Sequence, residues 1–565
     1  MQRFSGMAIM AGLVLISTAA TAKAISAGDE PGRIEQRFVS PPVAKAKLAI
    51  REGLESTMPP DQAGKISLKI RSIKFEGNSV VDSSALRALA QGMIGKTVTL
   101  RDVFKLAADV TSAYGDEGYT LSRAIVPPQE LDPKGATITI RIIEGYVDDV
   151  KWPSSLDRYR DLFSDYAGKI KAERPIRVTT IERYLLLAND LPGLTFSSRL
   201  TPSASNPAAS TLVVSLDKEK HVSASLGLDN RGTEGSGPYQ AQAQTVFANV
   251  LGLHEKLSLG YTIAGPQVNS TTPELNYFSS GYEQVLTSEG LKFDLTGNAS
   301  WGSPGTADLL LLNYKTQSLN ISTSLVYPFI RTRDTNLNGV IAFDWKDSQS
   351  WILGFPQNED RLRIIRAELS FDHADASKGI NQIIFSASHG FDGLGSTQNG
   401  NPLASRSNGQ VDFFKATLQA SRLQDFGNQW SGLILASGQI AGGPLLSSQE
   451  CGYGGTSIGR GFEPSVISGD DCFSALGELR YDISTEAMGL KKLQPYAFAD
   501  YGSIWNIDPP IGTAAHDSAA SVGAGIRFGW ANFDADLQAT YQIVSPTSVT
   551  VSNRVGVFFN LSARF

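Results

Sequence analysis

The sequence predicts an all-β transmembrane barrel of about sixteen antiparallel strands, preceded by two small α+β domains with the element order βααββ. Three observations predict this fold class. From His221 to Phe565, apolar and polar side chains alternate with a period of two, as expected for strands with one face toward lipid and one toward a wet lumen. The connections between these strands alternate between long and short. Ahead of them, the same order of elements occurs twice in succession.

The N-terminus has the pattern of a cleaved export signal. Arg3 supplies a positive charge, Met7 to Ile16 is an uninterrupted run of small and apolar residues, and Ala22-Lys23-Ala24 offers a small-x-small cleavage pattern. We expect residues 1–24 to be the signal peptide, cut after Ala24 or, alternatively, after Ala22. No later segment is long and apolar enough to span a bilayer as a helix. The formal net charge of −6 gives no indication of nucleic-acid binding.

Residues 25–65 are expected to form an N-terminal segment and a linker. Pro-Pro pairs at residues 41–42 and 59–60 mark breaks in regular structure. One short helix is predicted over Pro31 to Phe38 and a second over Val43 to Glu55. Both are expected to be tethered pieces and not parts of a core.

The first α+β domain is predicted over residues 66–145. Ile66, Leu68 and Ile70 begin an alternating strand that ends at Gly77-Asn78. A short helix is expected over residues 83–91, and a second begins at the capping pattern Thr99 to Asp102 and ends near Gly118. Strands over residues 119–126 and 136–143 complete the unit.

The second α+β domain, residues 146–218, repeats this order. A strand over residues 147–152 precedes a helix over residues 156–167. Thr179-Thr-Ile-Glu182 is expected to cap a second helix, which Pro192-Gly193 stops. Strands over residues 194–200 and 211–216 follow. Two consecutive units of one order indicate an internal repeat.

Residues 219–565 are predicted to form the barrel. Alternating segments begin near residues 221, 239, 254, 276, 292, 318, 336, 364, 381, 411, 430, 472, 494, 520, 533 and 555. An even number of strands is usual for such barrels. A soluble β-sandwich or propeller is the alternative, but neither predicts alternating connection lengths.

The odd-numbered connections are expected to be long and the even-numbered ones short. The long ones cover residues 301–317, 346–363, 392–410, 439–471 and 503–519, and the short ones cover 248–253, 286–291, 374–380 and 530–532. Long loops outside and short turns inside are typical of outer-membrane barrels, so the two α+β domains are expected in the periplasm.

No catalytic or metal-binding constellation is present in the sequence. Five scattered histidines lack metal-ligand spacing, and there is neither a GxSxG elbow nor a P-loop. We therefore expect a protein that is not an enzyme and needs no cofactor or metal. Cys451 and Cys472 do not have the CxxC spacing of a zinc site. Export makes a disulfide between them plausible, with two unpaired thiols as the alternative.

Three stretches resemble the two-partner secretion transporters, the ShlB/FhaC/HecB-type haemolysin secretion/activation proteins. The α+β domains resemble POTRA domains through residues 118–129 with 142–145, and through residues 185–193. Ser457-Ile-Gly-Arg-Gly-Phe462, in the longest loop, is similar to the family's Arg-Gly-aromatic loop tip, although Gly459 replaces the usual Val or Ile. Phe498-Ala-Asp-Tyr-Gly502 is similar to its Phe-x-Asp-x-Gly strand motif.

The resemblance implies a site in the barrel lumen. Arg460, Gly461 and Phe462 would form the loop tip, and Phe498, Asp500 and Gly502 the wall motif. Because Phe498, Asp500 and Gly502 share one strand face and a carboxylate cannot face lipid cheaply, Asp500 is expected in the lumen. The resemblance assigns Arg460 as its bidentate, charge-assisted partner. A Cys451–Cys472 bridge would tie the loop stems together, and the segment from Pro31 to Phe38 is expected to plug the pore, with a disordered linker as the alternative.

The resemblance also implies a function. The protein would export, without ATP, a large haemolysin- or adhesin-type exoprotein across the outer membrane of a Gram-negative bacterium, and some relatives activate their cargo as well. Its expected partners are the unfolded exoprotein, bound by the POTRA domains, outer-membrane lipids, and the barrel-assembly machinery, for which Phe565 would be the C-terminal signal. An outer-membrane assembly or insertase factor is the alternative, and a diffusion porin or receptor is a third.

Overall fold

The computed structural model describes residues 26–38, 50–51, 63–132, 135–265, 272–485, 489–548 and 553–565. The expected signal peptide, residues 1–24, lies outside the described residues. Within those ranges, no helix combines the length and the apolar character needed to cross a bilayer.

The N-terminal segment contains 3-10 helices at Ala27–Asp29 and Pro31–Arg37 and strand β1 at Ile50–Arg51. A helical turn is therefore present where one was predicted over residues 31–38. The helix predicted over Val43 to Glu55 is wrong at residues 50–51, and its other residues lie outside the described ranges. Ile50 and Arg51 pair in parallel with Ser198 and Arg199 of the second α+β domain, because an unpaired sheet edge offers backbone groups that a strand can satisfy.

The first α+β domain packs two helices on a four-stranded sheet. A 3-10 turn at Ala63–Lys65 leads into β2 Ser67–Glu76, α1 Ser83–Gln91, β3 Thr97–Thr99, α2 Leu100–Asp116, β4 Arg123–Ile125 and β5 Ala136–Ile143. The strand order in the sheet is β3-β2-β5-β4. The predicted capping box is present: Asp102 N donates to Thr99 Oγ1 and Thr99 N donates to Asp102 Oδ2. The strand predicted over residues 119–126 is shorter, because Tyr119 and Leu121 are buried in a turn.

The elements of the second α+β domain are β6 Tyr146–Lys151, a 3-10 turn Ser154–Tyr159, α3 Arg160–Ala172, α4 Val178–Asn189, β7 Leu194–Pro202 and β8 Ala209–Glu219. With β1 at one edge, the strand order in its sheet is β1-β7-β8-β6. The helix predicted over residues 156–167 begins later because that 3-10 turn precedes it. The cap predicted at Thr179 to Glu182 is wrong: α4 begins at Val178 with no side-chain cap. Glu182 is buried and pairs with Arg333 of the barrel instead.

Sixteen antiparallel strands close into one barrel, in which each strand pairs with its neighbours in sequence and the last pairs with the first. The first ten are β9 Val222–Asp229, β10 Gln240–Ala248, β11 Glu255–Ala264, β12 Leu275–Val285, β13 Lys292–Gly302, β14 Lys315–Arg331, β15 Thr335–Ile352, β16 Phe355–Ala374, β17 Gly379–Gly390 and β18 Phe414–Gly427, with α5 Ala307–Leu311 in one connection. After β19 Trp430–Ala441, a 3-10 turn at Ser447–Gln449 and the short strands β20 Cys451–Tyr453 and β21 Ile467–Gly469 precede β22 Asp471–Tyr481, β23 Lys492–Trp505, β24 His516–Trp530, β25 Phe533–Val544 and β26 Val555–Arg564.

The connections at the end of the barrel away from the α+β domains include the two longest, residues 391–413 and 442–470. The long connection predicted over residues 346–363 is wrong. β15 and β16 continue as one hairpin to a two-residue turn, Leu353-Gly354, in which both residues have positive φ. That sign pattern is typical of the type I′ turn, which matches the twist of paired strands.

The second α+β domain is docked on two barrel turns, residues 286–291 and 332–334. Asp190 accepts two hydrogen bonds from the guanidinium of Arg331, at 2.8 and 2.9 Å, and both side chains are largely buried. Glu289 pairs with Lys169 at 2.7 Å. Burial alone would raise the pKa of Glu289, but the hydrogen bond and charge of Lys169 lower it. This contact therefore stabilises the docked arrangement at neutral pH and is lost only as the pH falls through that lowered pKa.

Replacing Asp190 with Asn is expected to loosen the docking of this domain. Removing one charge of a largely buried pair costs ~3 kcal/mol, because the other charge stays buried without its partner. Lys169→Gln is the control, since Lys169 is half-exposed and such pairs contribute at most ~1 kcal/mol. Hydrogen–deuterium exchange in peptides covering residues 186–193 and 328–336 measures the difference. Equal exchange in the two variants would contradict this prediction.

Candidate functional site

The longest connection, residues 442–470, folds back into the barrel, and we call it the lumen loop. Its two short strands pair as a hairpin, with Cys451 opposite Gly469 and Tyr453 opposite Ile467. A disulfide joins Cys451 to Cys472, the second residue of β22. The hairpin is therefore covalently attached to the barrel wall near its base.

The tip of the lumen loop is held by backbone as well as side-chain contacts. Gly461 N donates to Ser521 Oγ at 3.1 Å, and a Cβ added at Gly461 would lie 2.6 Å from Ser521 Cβ, so this approach requires glycine. Phe462 is buried against Tyr453, with ring centroids 5.8 Å apart. Gly459 has φ +82°, which explains why this chain has no Val or Ile before Arg460.

The wall motif on β23 faces the tip. Asp500 is 5% exposed and accepts hydrogen bonds from Tyr453 Oη at 2.7 Å, the Arg460 backbone N–H at 2.9 Å and Ser521 Oγ. Gly502 lies under the Tyr453 ring, and a Cβ there would overlap that ring. Phe498 lies beneath Arg460, whose guanidinium carbon is 4.9 Å from the ring centroid.

The expected bidentate pairing of the Arg460 side chain with Asp500 is wrong. Asp500 binds the Arg460 backbone, and the Arg460 guanidinium donates to Glu478 on the adjacent strand β22. The lumen-facing register explains the difference: Glu478 pairs across the ladder with Phe498, directly below the arginine, whereas Asp500 lies one lumen position farther along β23.

Glu478 is the centre of a cluster that our sequence reasoning missed. Its carboxylate is fully buried and also receives Arg480 and Arg527, the latter at 2.8 and 3.0 Å. Each hydrogen bond to a charged group is stronger than a neutral one, and the buried setting makes the carboxylate dependent on these partners. The sequence did contain a signal: Glu478 is a charged residue at a lumen position of a predicted strand, two residues before Arg480.

Tyr453, which donates to Asp500, was missed as well, and nothing in its local sequence marks it.

The N-terminal segment, residues 26–38, also lies inside the barrel. Arg33 is 1% exposed and pairs with Glu450 of the lumen loop at 3.1 Å. Glu35 pairs with Lys346 of β15 and accepts a hydrogen bond from Asn298 of β13 at 3.1 Å. The segment is therefore bound both to the lumen loop and to the barrel wall.

A second set of contacts holds the two ends of the segment together. Arg37 donates to Asp29 at 2.8 Å and to Ser236 at 3.1 Å in the first barrel connection. Asp29 is 3% exposed and also receives the Thr233 hydroxyl. Gly28 lies against the Pro464 carbonyl, next to the loop tip, where a side chain would clash.

Phe565 lies at the closure of the barrel. Its backbone N donates to Ala224 O at 2.8 Å, and its carbonyl accepts from Lys220 Nζ at 2.8 Å. The β26–β9 ladder covers five residue pairs, Asn560–Asp229 to Arg564–Ser225, compared with eleven for β12–β13. The last residue therefore extends the shorter closing ladder.

Comparison with protein-family models shows to which family the chain belongs. A model described as haemolysin secretion/activation protein ShlB/FhaC/HecB matches residues 208–528, more than half of the chain. The chain belongs to this family. A second model, for the ShlB-type POTRA domain, matches residues 68–145, so the first α+β domain is a POTRA domain, here called POTRA 1. We call the second α+β domain POTRA 2, because it also packs two helices on one face of a small sheet.

Individual relatives agree over nearly the whole chain. It is 22% identical to the Heme/hemopexin transporter protein HuxB of Haemophilus influenzae strain 86-028NP over 542 residues, 92% of each protein. It is 23% identical to the Outer membrane transporter CdiB of Dickeya dadantii strain 3937 over 511 residues, 87% of this chain and 86% of that one. The solved structure of CdiB from Escherichia coli has the same fold, with a TM-score of 0.73 at 17% identity, covering 91% of this chain and 94% of that one.

The protein is thus the outer-membrane transporter of a two-partner secretion system, and it carries a secreted protein across that membrane. Its POTRA domains lie in the periplasm, as they do in this family. The short turns that contact POTRA 2 face the periplasm, and the lumen loop enters the barrel from the cell surface.

Proposed function

We propose that this transporter exports one large β-helical exoprotein of the haemolysin or adhesin type through a lumen that residues 26–38 plug at rest. The cargo class is suggested by the family, which is described as haemolysin secretion/activation proteins. The observation that carries the plug is the occupied lumen. The segment is bound by the ion pairs Arg33–Glu450 and Glu35–Lys346 and by the Arg37–Asp29 contact. A chain that enters the lumen must first displace these contacts.

The POTRA domains are placed to capture the cargo. In POTRA 1, β4 is the last strand of its sheet and pairs with β5 on one side only among the described residues. An extended exoprotein segment can add to such an edge through backbone hydrogen bonds, which recognise many sequences. Folding of the exported chain at the cell surface then removes it from the lumen, so the reaction proceeds without a nucleotide.

Two further partners complete the proposal. The lipid-facing side chains of the barrel, such as Leu226, Ile341 and Leu537, are exposed on its outer wall and would contact outer-membrane lipids. Phe565, at the end of the closing strand, would serve as the signal for the barrel-assembly machinery. This role is supported by its place directly after β26, where its backbone hydrogen bonds with Ala224 extend the ladder that closes the barrel.

Deleting residues 26–38 is expected to open the channel. Loss of the segment removes the side chains that fill the lumen, so single-channel conductance in planar bilayers should rise several-fold, with long open events. Glu35→Gln, which keeps the segment but weakens its contact with Lys346 and Asn298, should give brief, infrequent openings of the same size. Unchanged conductance in the deletion variant would refute the plug.

Cargo export is tested by deleting the gene and comparing surface and medium proteins with the parent strain. Loss of one very large exoprotein supports the dedicated transporter. Loss of many barrels from the outer membrane would instead indicate an assembly factor. Assaying the released protein for its own activity separates export from activation.

A further inference from the structure

Glu450 in the lumen loop is shared by two arginines from different parts of the chain. Arg33 of the N-terminal segment contacts one carboxylate oxygen at 3.1 Å, and Arg406 of the cell-surface connection 391–413 contacts the other at 3.4 Å. The two arginines are 1% and 6–7% exposed, and Glu450 is 11% exposed in its side chain. One nearly buried carboxylate therefore serves both elements.

Arg406 also holds the cell-surface loops together. Its guanidinium nitrogen Nη1 lies 2.8 Å from both carboxylate oxygens of Asp470, which is fully buried at the end of the lumen loop. Asp470 accepts from the backbone N–H of Leu445 and of Ile507 as well, both at 2.7 Å. We call this the surface clasp: it joins the connections 391–413, 442–470 and 506–515.

Glu450 cannot follow the N-terminal segment if that segment leaves. The next residue, Cys451, is bonded to Cys472 on β22, and Ser468 of the hairpin donates to Glu450 at 2.9 Å. Departure of Arg33 would therefore leave the carboxylates of Glu450 and Asp470 sharing Arg406. A nearly buried carboxylate that loses its nearest cation is destabilised until water or a movement of the surrounding loops compensates it.

We propose that Glu450 is a positioning residue that couples the N-terminal segment to the surface clasp, so that release of the plug loosens the cell-surface loops over the exit. The proposal rests on the plug role proposed above. By linkage, the coupling is reciprocal: loosening the clasp must favour release of the segment by the same factor. Entry and exit of the lumen are thereby opened together.

Hydrogen–deuterium exchange of the full mature chain in lipid nanodiscs tests one direction. Arg33→Gln removes the cation that the segment places against Glu450, and Arg33 is 373 residues from Arg406 in sequence. We expect exchange in peptides covering residues 402–413 and 503–513 to become about tenfold faster, within the ~5- to 150-fold range of couplings between protein sites. In a Glu450→Gln background, Arg33→Gln should add little further. Unchanged exchange in these peptides in the Arg33→Gln protein would overturn the proposal.

Single-channel recording tests the other direction. Asp470→Asn weakens the clasp, and we expect channel openings to become about tenfold more frequent. The control is Asp517→Asn, because Asp517 holds the backbone N–H groups of Thr547 and Ser548 in another cell-surface connection. Equal opening frequencies in the two variants would overturn the coupling. If Asp470→Asn fails to assemble, Arg406→Lys keeps the charge and removes the forked geometry.

The two proposals fail separately. If deleting residues 26–38 leaves conductance unchanged, the plug role is wrong. Faster exchange of the cell-surface peptides in Arg33→Gln would still support contact coupling through Glu450, because that readout does not depend on conductance. A conductance increase in the deletion variant, together with unchanged exchange of the cell-surface peptides in Arg33→Gln, would support the plug role and overturn the coupling.

Discussion

Replacing Arg460 with alanine is expected to reduce export of the exoprotein about tenfold or more, while the barrel still reaches the outer membrane. The side chain supplies a charged hydrogen bond to buried Glu478 and covers the Phe498 ring. Loss of a hydrogen bond to a charged group costs about 1.5–3 kcal/mol, and each ~1.4 kcal/mol is a factor of ten in an equilibrium. The equilibrium between the bound and the released loop tip would then shift toward release by about tenfold or more. Exoprotein in the medium, measured against the amount of assembled barrel, gives the result.

The matched control for Arg460 is Arg480→Ala. Arg480 contacts the same Glu478 carboxylate but is on the same strand as that residue, so its loss weakens the cluster without releasing the tip. Export should remain within about twofold of wild type, since Arg460 and Arg527 still pair with Glu478 and the loop tip keeps its anchor. Equal loss of export in both variants would show that net charge around Glu478 matters and that anchoring of the tip does not.

Placing an alanine at Gly502 is expected to displace the lumen loop by a different route. A Cβ at this position overlaps the Tyr453 ring, which is 2% exposed and packs against Phe462. Overpacking of this kind costs ~1–3 kcal/mol. Because Tyr453 also donates to Asp500, its displacement removes a hydrogen bond from the carboxylate that holds the Arg460 backbone. We expect export to fall about tenfold, with increased exchange in peptides covering residues 450–470.

Gly477→Ala is the control for Gly502→Ala. It lies on the neighbouring strand β22, and a Cβ added there meets nothing within 4 Å among the described residues. Normal export is expected. Tyr453→Ala should itself lower export, because it removes the hydrogen bond to Asp500, and adding Gly502→Ala to it should lower export no further, because the clash needs the ring. If Gly502→Ala lowers export by the same factor with and without the Tyr453 ring, steric displacement of Tyr453 is not the cause.

The strands could be predicted from the sequence because their signal is local. Alternation with a period of two predicted four strand starts, near residues 292, 430, 533 and 555, and the structure has the first residues of β13, β19, β25 and β26 at these positions. The same reasoning failed at the β15–β16 hairpin, because polar residues beyond the membrane have no lipid-facing face to reveal their register. There, the pairing of β15 with β16 continues to Ile352 and Phe355, next to the turn.

The lumen site was only partly predictable, because its partners are distant in sequence and polar. Arg33 and Glu450 are 417 positions apart, and Arg460 could pair with any carboxylate in the lumen until the register between β22 and β23 was known. Thr179 to Glu182 shows the same limit: the local capping pattern is present, but Arg333 of the barrel takes the glutamate. In each case, a tertiary ion pair outweighs what the neighbouring residues suggest.

The bond between Cys451 and Cys472 joins residues that are close in sequence, so it can form before the protein is folded. Both thiols lie within a 22-residue stretch of the precursor, so oxidation does not require a completed barrel. Closing a loop of this size lowers the conformational entropy of the unfolded chain by an amount worth ~3 kcal/mol at room temperature. The oxidised precursor therefore enters the membrane with its longest connection already shortened, and the hairpin has fewer conformations to search before it finds the lumen. Part of the order in the finished pore is thus established by the redox chemistry of the compartment in which the chain waits.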